Sequence, residues 1–300
     1  MALLTRAFSA LGTRCEIVLD HDGPAEAALD AAEAEVHRFE RKFSRYRDDS
    51  VVAQINADAG LGPTPIDEET HGLLRYAEAC YRQSDGLFDI TSGVLRKVWH
   101  RERRELPTDR DLEPCLARIG WPRVRFDEHS VFLPISGMQI DLGGIGKEYI
   151  ADAVTARLRS AGFAHGVVNL GGDVTILGPH ADGSPWWVGI THPFEAGKSI
   201  ASIALTEGAL TTSGSYERYI EIAGKRYSHV LDPRTGWPVE GLVSVSVLAP
   251  RALVAGTISL IALLKGASSA ITWLEGSGAR YLAVDRECQI RGSLASRDAT

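Results

Sequence analysis

Cysteine is scarce in this sequence, and its few copies are widely spaced. The 300 residues include four cysteines, at Cys15, Cys80, Cys115 and Cys288, and none forms a Cys-x-x-Cys pair. Closely spaced cysteine pairs are typical of zinc sites and of the disulfide frameworks of secreted domains. The pattern therefore disfavours both and predicts reduced thiols in a cytoplasmic protein.

Long apolar runs and basic clusters are also missing. No run of about 18 apolar residues exists, so no membrane span is expected. The first residues, MALLTRAFSALGTRCEIVLD, lack a long apolar core, so a secretory signal is not expected. The net charge is −7, and no Lys/Arg-rich stretch alternates with aromatics, which disfavours a nucleic-acid partner. A phosphate-bearing ligand remains compatible, because backbone N–H groups bind phosphate even in acidic proteins.

What is present is typical of a folded globular chain, 44% hydrophobic and 24% charged. Apolar residues at steps of three and four predict helices over residues 29–43, over 67–83 and from Lys147, and Pro250 is expected to open another. Alternating or β-branched segments predict strands and hairpins at residues 13–20, 123–134, 137–144, 165–178, 186–193, 199–214, 219–232, 242–250 and 280–292. Because helices and strands mix without strict alternation, we predict a single α+β domain over residues 1–300. It should contain a large mixed or antiparallel sheet flanked by helices.

The most informative segment is Asp-Leu-Gly-Gly-Ile-Gly-Lys-Glu-Tyr, at residues 141–149. A predicted strand ends in Asp141, glycines follow, and Lys147 begins a helix. Glycine lets the backbone approach a ligand closely, and a helix N-terminus offers free N–H groups and a positive dipole end. The spacing matches neither the dinucleotide fingerprint nor the P-loop. A tight turn followed by a surface lysine explains these residues equally well.

A second polar stretch, Ser-His-Val-Leu-Asp-Pro-Arg-Thr-Gly-Trp-Pro, occupies residues 228–238. His229 could act as a general acid or base, although a lone histidine is more often structural. Ser213 and Ser215 lie upstream, so a Ser-His-Asp hydrolase stays open. The sequence lacks the Gly-x-Ser-x-Gly elbow of such enzymes, which makes this the weaker interpretation.

The order of the motifs along the chain is more specific than any single motif. They are Leu-Gly-Thr (11–13), Ser-x-Tyr (44–46), Gly-x-Phe-Asp-Ile-Thr (86–91), Asp-Leu-Gly-Gly-Ile-Gly-Lys (141–147), Asn-Leu-Gly-Gly-Asp (169–173), Thr-Ser-Gly-x-Tyr-x-Arg (212–218) and His-x-x-Asp-Pro-x-Thr-Gly-x-Pro (229–238). In this order they resemble the FAD:protein FMN transferase (ApbE-like) family over nearly the whole chain. The Asp-to-Lys and His-to-Pro stretches are the most specific.

The resemblance implies an activity and a set of contacts. Family members bind FAD and Mg²⁺, attach FMN to a Ser or Thr of a target protein, and release AMP. The implied partners are therefore FAD and a protein that carries the acceptor hydroxyl. His229 would lie near the transferring phosphate. By motif position, the flavin contacts would be Leu11, Tyr46, Leu87, Phe88, Asp89, Asp141, Lys147 and the backbone at Val230.

The expected metal site departs from the family pattern. Members usually have Ala-Asp-x-x-x-Thr where this chain has Ala-Gly-Thr-Ile-Ser-Leu, so Gly256 and Leu260 replace the Asp and Thr that bind the metal. Neither replacement has a side-chain oxygen, and Mg²⁺ prefers hard oxygen ligands. Backbone carbonyls at about Gly144 and Ser259 remain as expected metal contacts. Glu148 also replaces a frequent glycine, which brings negative charge near the expected phosphates.

Two functions follow from these residues. The first is Mg²⁺-dependent transfer of FMN from FAD to a target protein. The alternative is a non-catalytic module that binds FAD, or assists assembly of another flavoprotein, after losing its metal site.

Overall fold

The computed structural model describes residues 2–216 and 218–295, apart from the side chain of Ser268. Met1, Glu217 and residues 296–300 belong to the predicted domain but lie outside the described residues. The helices of the described chain are α1 (Glu26–Phe43), α2 (Val51–Ala57), α3 (Glu68–Gln83), α4 (Asp109–Leu116), α5 (Gly146–Ser160) and α6 (Ala252–Gly276), with two 3-10 helices at Ile90–Lys97 and Trp121–Arg123. Its strands are β1 (Leu3–Ala10), β2 (Thr13–Asp20), β3 (Thr64–Pro65), β4 (Arg125–Phe126), β5 (Ser130–Phe132), β6 (Gly166–Leu170), β7 (Asp173–Gly178), β8 (Trp186–Thr191), β9 (Ser199–Leu205), β10 (Gly208–Gly214), β11 (Tyr219–Ile222), β12 (Lys225–Ser228), β13 (Leu242–Ala249), β14 (Arg280–Asp285) and β15 (Ile290–Arg291).

A large antiparallel sheet lies at the centre of the molecule. Its strand order is β1-β2-β6-β7-β10-β13-β14-β15, and each neighbouring pair is antiparallel. The predicted α+β class is confirmed, and the sheet is antiparallel rather than mixed. The single-domain organisation stays a prediction.

Helices cover one face of this sheet, as their apolar periodicity predicts. Helix α5 packs on β6 and β7, α6 packs on β10 and β13, and α1 packs on α5. Each Val, Leu, Ile or Phe side chain buried in this layer contributes about 1.5–3 kcal/mol relative to exposure. The apolar face predicted for each element is buried. The buried residues are Leu29, Ala32, Val36 and Phe39 of α1, Cys15, Ile17 and Leu19 of β2, and Ile150, Val154 and Leu158 of α5.

The opposite face is covered by the β8–β9 hairpin. Ile190 and Ile203 from the hairpin pack with Val174, Ile176 and Leu210 from the sheet in one buried cluster. The sheet is therefore enclosed on both sides along its central strands, which holds β7 and β10 in place beneath the helices.

The strand predicted over residues 137–144 is wrong. Met138, Ile140 and Leu142 are buried at alternate positions, but no strand of the described chain pairs with them. Instead, the side chain of Asn56 donates to the Ile140 carbonyl (3.1 Å) and accepts the Ile140 N–H (2.7 Å). One amide thus satisfies the backbone groups that a ladder would have used. The segment can then leave the sheet and deliver Asp141 to the glycine turn.

Two other boundaries differ from the sequence prediction. Strand β1 was not predicted; it lies at the sheet edge, and its outward side chains are exposed. The last long helix begins at Ala252 rather than at Pro250, and it is broken at Gly266, where φ is 70°. A positive φ of this size favours glycine over any residue with a Cβ. The hairpins predicted over residues 123–134 and 219–232 are confirmed: β4 pairs with β5 across a turn at 127–129, and β11 pairs with β12 across a turn at 223–224.

Candidate functional site

The candidate site lies where helices α5 and α6 meet, and the contact begins with an interhelical cap. Helix α6 receives no side-chain cap from its own N-cap residue, Arg251. Asp152 of α5 supplies one instead, since its carboxylate accepts the N–H groups of Ala252 (2.8 Å) and Leu253 (3.0 Å). A carboxylate at this position satisfies free N–H groups and favours the helix dipole. The cap fixes how the two helices align.

The alignment brings Glu148 against Gly256. Glu148 precedes Asp152 by one helical turn, and Gly256 follows Ala252 by one turn, so antiparallel helices place them side by side. A Cβ built on Gly256 would lie 2.5 Å from Glu148 Cγ and 3.0 Å from both Cδ and Oε1. Glu148 therefore fills the space in which a side chain at position 256 would lie.

One further turn brings Gly144 against Leu260. A Cβ built on Gly144 would lie 2.8 Å from Leu260 Cδ2 and 3.3 Å from a ring carbon of Phe88. Here an apolar side chain occupies the position next to the glycine turn. The two residues that replace the expected metal ligands thus have different neighbours, a carboxylate beside Gly256 and a glycine backbone beside Leu260.

The carboxylate of Glu148 is buried and incompletely paired. The residue is 8% exposed, and its Oε2 has no hydrogen-bond partner among the described residues. Burial and, secondarily, the negative charge of Asp173 raise the pKa of Glu148 to about 8. A buried polar atom without a partner is unusual enough to require an explanation.

Lys147 is the neighbouring cation. Its ammonium group forms an ion pair with Asp173, a residue that is 2% exposed at the start of β7. Burial alone would lower the pKa of Lys147, but the charges of Asp173 and Glu148 raise it above its ordinary value. One ammonium therefore faces two buried carboxylates.

His229 lies close enough to Lys147 for the lysine charge to act on its imidazole. Its Nδ1 is 2.9 Å from the Arg218 carbonyl, which also accepts the His229 backbone N–H at 3.1 Å. Because a carbonyl only accepts, Nδ1 carries the proton and Nε2 holds a lone pair. Burial and then the charge of Arg96 lower the pKa of His229 to about 4, with smaller contributions from Arg218 and Lys147. At neutral pH the imidazole is therefore an uncharged base among cations.

Asp141 closes the glycine turn that precedes α5. One of its oxygens accepts from Arg45 Nη1 (2.9 Å), and the other accepts the Gly143 N–H (2.9 Å). Arg45 also donates to the Gly93 carbonyl (3.0 Å), which links the turn to the Gly-x-Phe-Asp-Ile-Thr segment. Arg45 was not among the predicted site residues, and neither was Asp173, although the Asn-Leu-Gly-Gly-Asp motif contains it.

Comparison with known proteins identifies the family of this chain. A family model described as the ApbE family matches residues 11–283. The chain belongs to the ApbE family. The FAD:protein FMN transferase of Treponema pallidum is 30% identical to it over an alignment of 318 positions, which covers 98% of this chain and 88% of that protein. One from Klebsiella pneumoniae is 36% identical over 224 residues, 73% of this chain and 69% of that protein.

Solved structures agree with this family membership. The ApbE protein of Thermotoga maritima has a TM-score of 0.89 and 32% identity, and the match covers 97% of each chain. The flavin transferase ApbE of Vibrio cholerae has a TM-score of 0.87 over 98% of each chain, and its 23% identity supports the fold alone. The resemblance inferred from the motifs is confirmed.

Several contacts expected of an ApbE family member lie around the glycine turn. Leu87 and Phe88 are buried, with the Phe88 ring next to Gly144. Tyr46 is 84% exposed, and the Arg45 guanidinium lies 5.7 Å from its ring centroid. Tyr46 thus presents an exposed aromatic ring next to the Arg45–Asp141 ion pair, and its flavin contact stays a prediction.

Leu11 and Val230 have other local roles. Leu11 lies in the β1–β2 turn with a φ of 57°, and its N–H donates to Glu40 Oε1 (2.6 Å). The Val230 N–H donates to Ser228 Oγ (3.0 Å), and its carbonyl accepts the Val239 N–H (3.0 Å). Both Val230 backbone groups thus have protein partners, and the flavin contacts assigned to these two residues stay predictions.

The described residues contain no ready-made acidic or histidine metal cluster. Within 2–216 and 218–295, no group of three or more His, Cys, Asp or Glu side chains is arranged to hold a metal ion.

Over the same residues, no helix is both long and apolar enough to cross a bilayer.

The carboxylate of Asp89 accepts three hydrogen bonds from the protein. It accepts from the Thr91 N–H (2.8 Å), the Thr91 hydroxyl (2.6 Å) and the Trp121 N–H (3.0 Å), and the residue is 7% exposed. We expect Asp89→Ala to lower the free energy of unfolding by about 2–4 kcal/mol, because buried donors lose a charged acceptor. Chemical denaturation measures this loss.

Asp182→Ala is the matched control for Asp89→Ala. Asp182 accepts the N–H and the hydroxyl of Ser184 in the same turn geometry, but it is exposed. Its loss should change stability by no more than about 0.5–1 kcal/mol. If the two variants are equally stable while Asp89→Ala weakens FAD binding, Asp89 serves the ligand rather than the fold.

Proposed function

We propose that this chain transfers FMN from FAD to a Ser or Thr hydroxyl of a target protein and releases AMP. The observation that carries the proposal is His229, a neutral base whose Nε2 has no proton and whose neighbours are cationic. A base beside positive charges suits the attack of a hydroxyl on a phosphate. The names of the relatives in Treponema pallidum and Klebsiella pneumoniae support the same activity.

The glycine turn and the start of α5 would hold the pyrophosphate of FAD. A turn rich in glycine admits close approach, and the N-terminus of a 15-residue helix offers a positive dipole end. Lys147 adds a full positive charge at the same helix end. Phe88 and Tyr46 would border the flavin, as expected from the motif positions.

His229 would then act on the acceptor hydroxyl. Nε2 takes the hydroxyl proton as the oxygen attacks the phosphorus of the FMN moiety, and the bond from that phosphorus to the bridging oxygen breaks. The electron pair leaves with AMP. Arg218, which holds Nδ1 through its carbonyl, fixes the tautomer that leaves Nε2 free. Lys147 would offset charge that develops on the phosphate oxygens.

Mg²⁺ forms part of this proposal, and the residues present fit it at one position. Glu148 offers a buried carboxylate oxygen without a partner, and carbonyl oxygens at Gly144 and Ser259 are the other expected contacts. Leu260 offers none. When bound, Mg²⁺ would neutralise pyrophosphate charge and favour departure of AMP. We also propose that the protein is cytoplasmic, which its four unpaired cysteines support.

The non-catalytic alternative has one observation in its favour. Leu260 places a methyl group against the glycine turn where an oxygen ligand is expected. The relatives' names favour transfer over this alternative. A module of this kind would bind FAD and leave it intact.

Release of AMP separates the two functions. Purified protein is incubated with FAD and Mg²⁺, with and without a Thr-containing acceptor protein, and nucleotides are resolved by chromatography. Transfer predicts AMP that rises with acceptor concentration. Bound but unchanged FAD in every mixture would support the non-catalytic module, and acceptor-independent AMP would indicate simple hydrolysis.

A further inference from the structure

The Glu148 carboxylate has a geometry that packing alone does not explain. Its position between α5 and α6 is set by the Asp152 cap, which lies one helical turn further along α5 and fixes how the two helices align. Its Cγ, Cδ and Oε1 lie within 3.0 Å of the position that a Cβ on Gly256 would take. A larger residue at position 256 is therefore incompatible with Glu148 in this position.

Within the part of the chain that the structure describes, the Glu148 carboxyl group also lacks a partner for one of its oxygens. Glu148 and Asp173 are both more than nine-tenths buried, and Lys147 is the cation paired with Asp173. Lys147 is therefore engaged by Asp173, and Glu148 Oε2 is left without a hydrogen-bond partner among the described residues. A buried oxygen without a partner is costly, and a bound cation would satisfy it.

Neutral oxygens accompany the carboxylate on the α6 side. The Ser213 hydroxyl lies 2.7 Å from the Ser259 hydroxyl, which donates to the Gly256 carbonyl at 2.9 Å. Ser213 belongs to the Thr-Ser-Gly motif of β10, so sheet and helix both contribute oxygen atoms near position 256. Hard oxygen donors of this kind suit Mg²⁺ or Mn²⁺ rather than a soft metal.

We propose that Glu148 is the carboxylate ligand of a divalent cation and supplies from α5 the oxygen that Gly256 cannot supply from α6. The expected Asp at position 256 and the expected glycine at position 148 have exchanged roles across the helix contact. A carboxylate therefore occupies the same space between the helices, but it comes from α5 instead of α6. The proposal deepens the proposed transfer function and rests on it for the role of the cation.

The exchange also predicts which substitution restores the usual arrangement. Gly256→Asp alone would force its Cβ into Glu148, so it should disturb the site rather than repair it. Glu148→Ala combined with Gly256→Asp removes the obstruction and returns a carboxylate to the same space. This pairing is the strongest test, because two individually harmful changes should compensate each other.

The affinity for Mn²⁺ tests the proposal without relying on activity. Calorimetry and the shift of the thermal midpoint are recorded for the full chain, with and without FAD, over a Mn²⁺ series. We expect wild type to bind Mn²⁺ and Glu148→Gln to bind it more than about 100-fold more weakly, since loss of an outer-shell partner already costs about 10–100-fold. The double variant should recover most of the wild-type affinity.

The choice of variants separates loss of the metal ligand from loss of the fold. Gln has the shape of a protonated Glu, so Glu148→Gln should fold, and Glu128→Gln provides an exposed control in the 127–129 turn. Equal Mn²⁺ affinity in wild type and Glu148→Gln, or no Mn²⁺ binding in any form, overturns the proposal. FAD affinity without metal is measured in parallel: its absence would sink the transfer function, whereas Glu148-dependent Mn²⁺ binding would still stand.

Discussion

His229→Asn is expected to lower the rate of FMN transfer by about 10²–10⁴-fold, the usual contribution of a general base. Asn keeps an N–H that can donate to the Arg218 carbonyl, so the local fold and the FAD affinity should be retained. What is lost is Nε2, the group that takes the proton. The initial rate of AMP release with a saturating acceptor measures the effect.

The pH profile tests whether the pKa of His229 is lowered in the working protein. Because burial and nearby arginines lower the pKa of His229 to about 4, the imidazole stays neutral as the pH falls. Wild-type transfer should therefore change little between about pH 5.5 and 7, where an ordinary histidine with a pKa of about 6.5 would lose activity. His129→Asn, at an exposed turn, is the control and should be silent. Equal rates in His229→Asn and wild type would exclude the base role.

Lys147→Ala is expected to lower the free energy of unfolding by about 3 kcal/mol, because it leaves the Asp173 carboxylate buried without its cation. The same change should weaken FAD binding by about tenfold or more, since a charge-assisted hydrogen bond contributes about 1.5–3 kcal/mol. Denaturation and FAD titration separate the two effects.

An exposed ion pair and a double variant control the Lys147 experiment. Lys198 pairs with Glu195 at the surface, so Lys198→Ala should cost at most about 1 kcal/mol. Adding Asp173→Asn to Lys147→Ala removes the stranded charge and should recover much of the stability, but not the FAD affinity. Recovery of both would mean that Lys147 acts on FAD through the fold alone.

Much of the fold followed from local patterns in the sequence. The apolar steps of α1 and α5 and the alternation in β2 are set by one buried face each, so periodicity alone located them. The segment at residues 137–144 shows the limit of this reasoning. Its alternation is real, but its partner is the Asn56 side chain, and no local pattern distinguishes an amide from a neighbouring strand.

The candidate site was only partly predictable for the same reason. Motif order singled out Lys147 and His229 as candidates, whereas the Lys147–Asp173 ion pair joins two separate motifs. The sequence also marked Glu148 and Gly256 as unrelated departures. Their contact depends on the Asp152 cap, which fixes the alignment of two helices that are distant in the chain. An alignment between two helices that are distant in the chain becomes visible only in the three-dimensional structure.

The intact mass of an acceptor protein tests the central proposal most directly. The acceptor, carrying one candidate Thr in a mobile segment, is incubated with this chain, FAD and Mg²⁺, and a Thr→Val acceptor serves as control. We expect a gain of one FMN less one water on the Thr protein, with one AMP released for each FMN attached and no gain on the Val control. An unchanged acceptor mass across a panel of Thr and Ser acceptors, with FAD bound and intact, would contradict it.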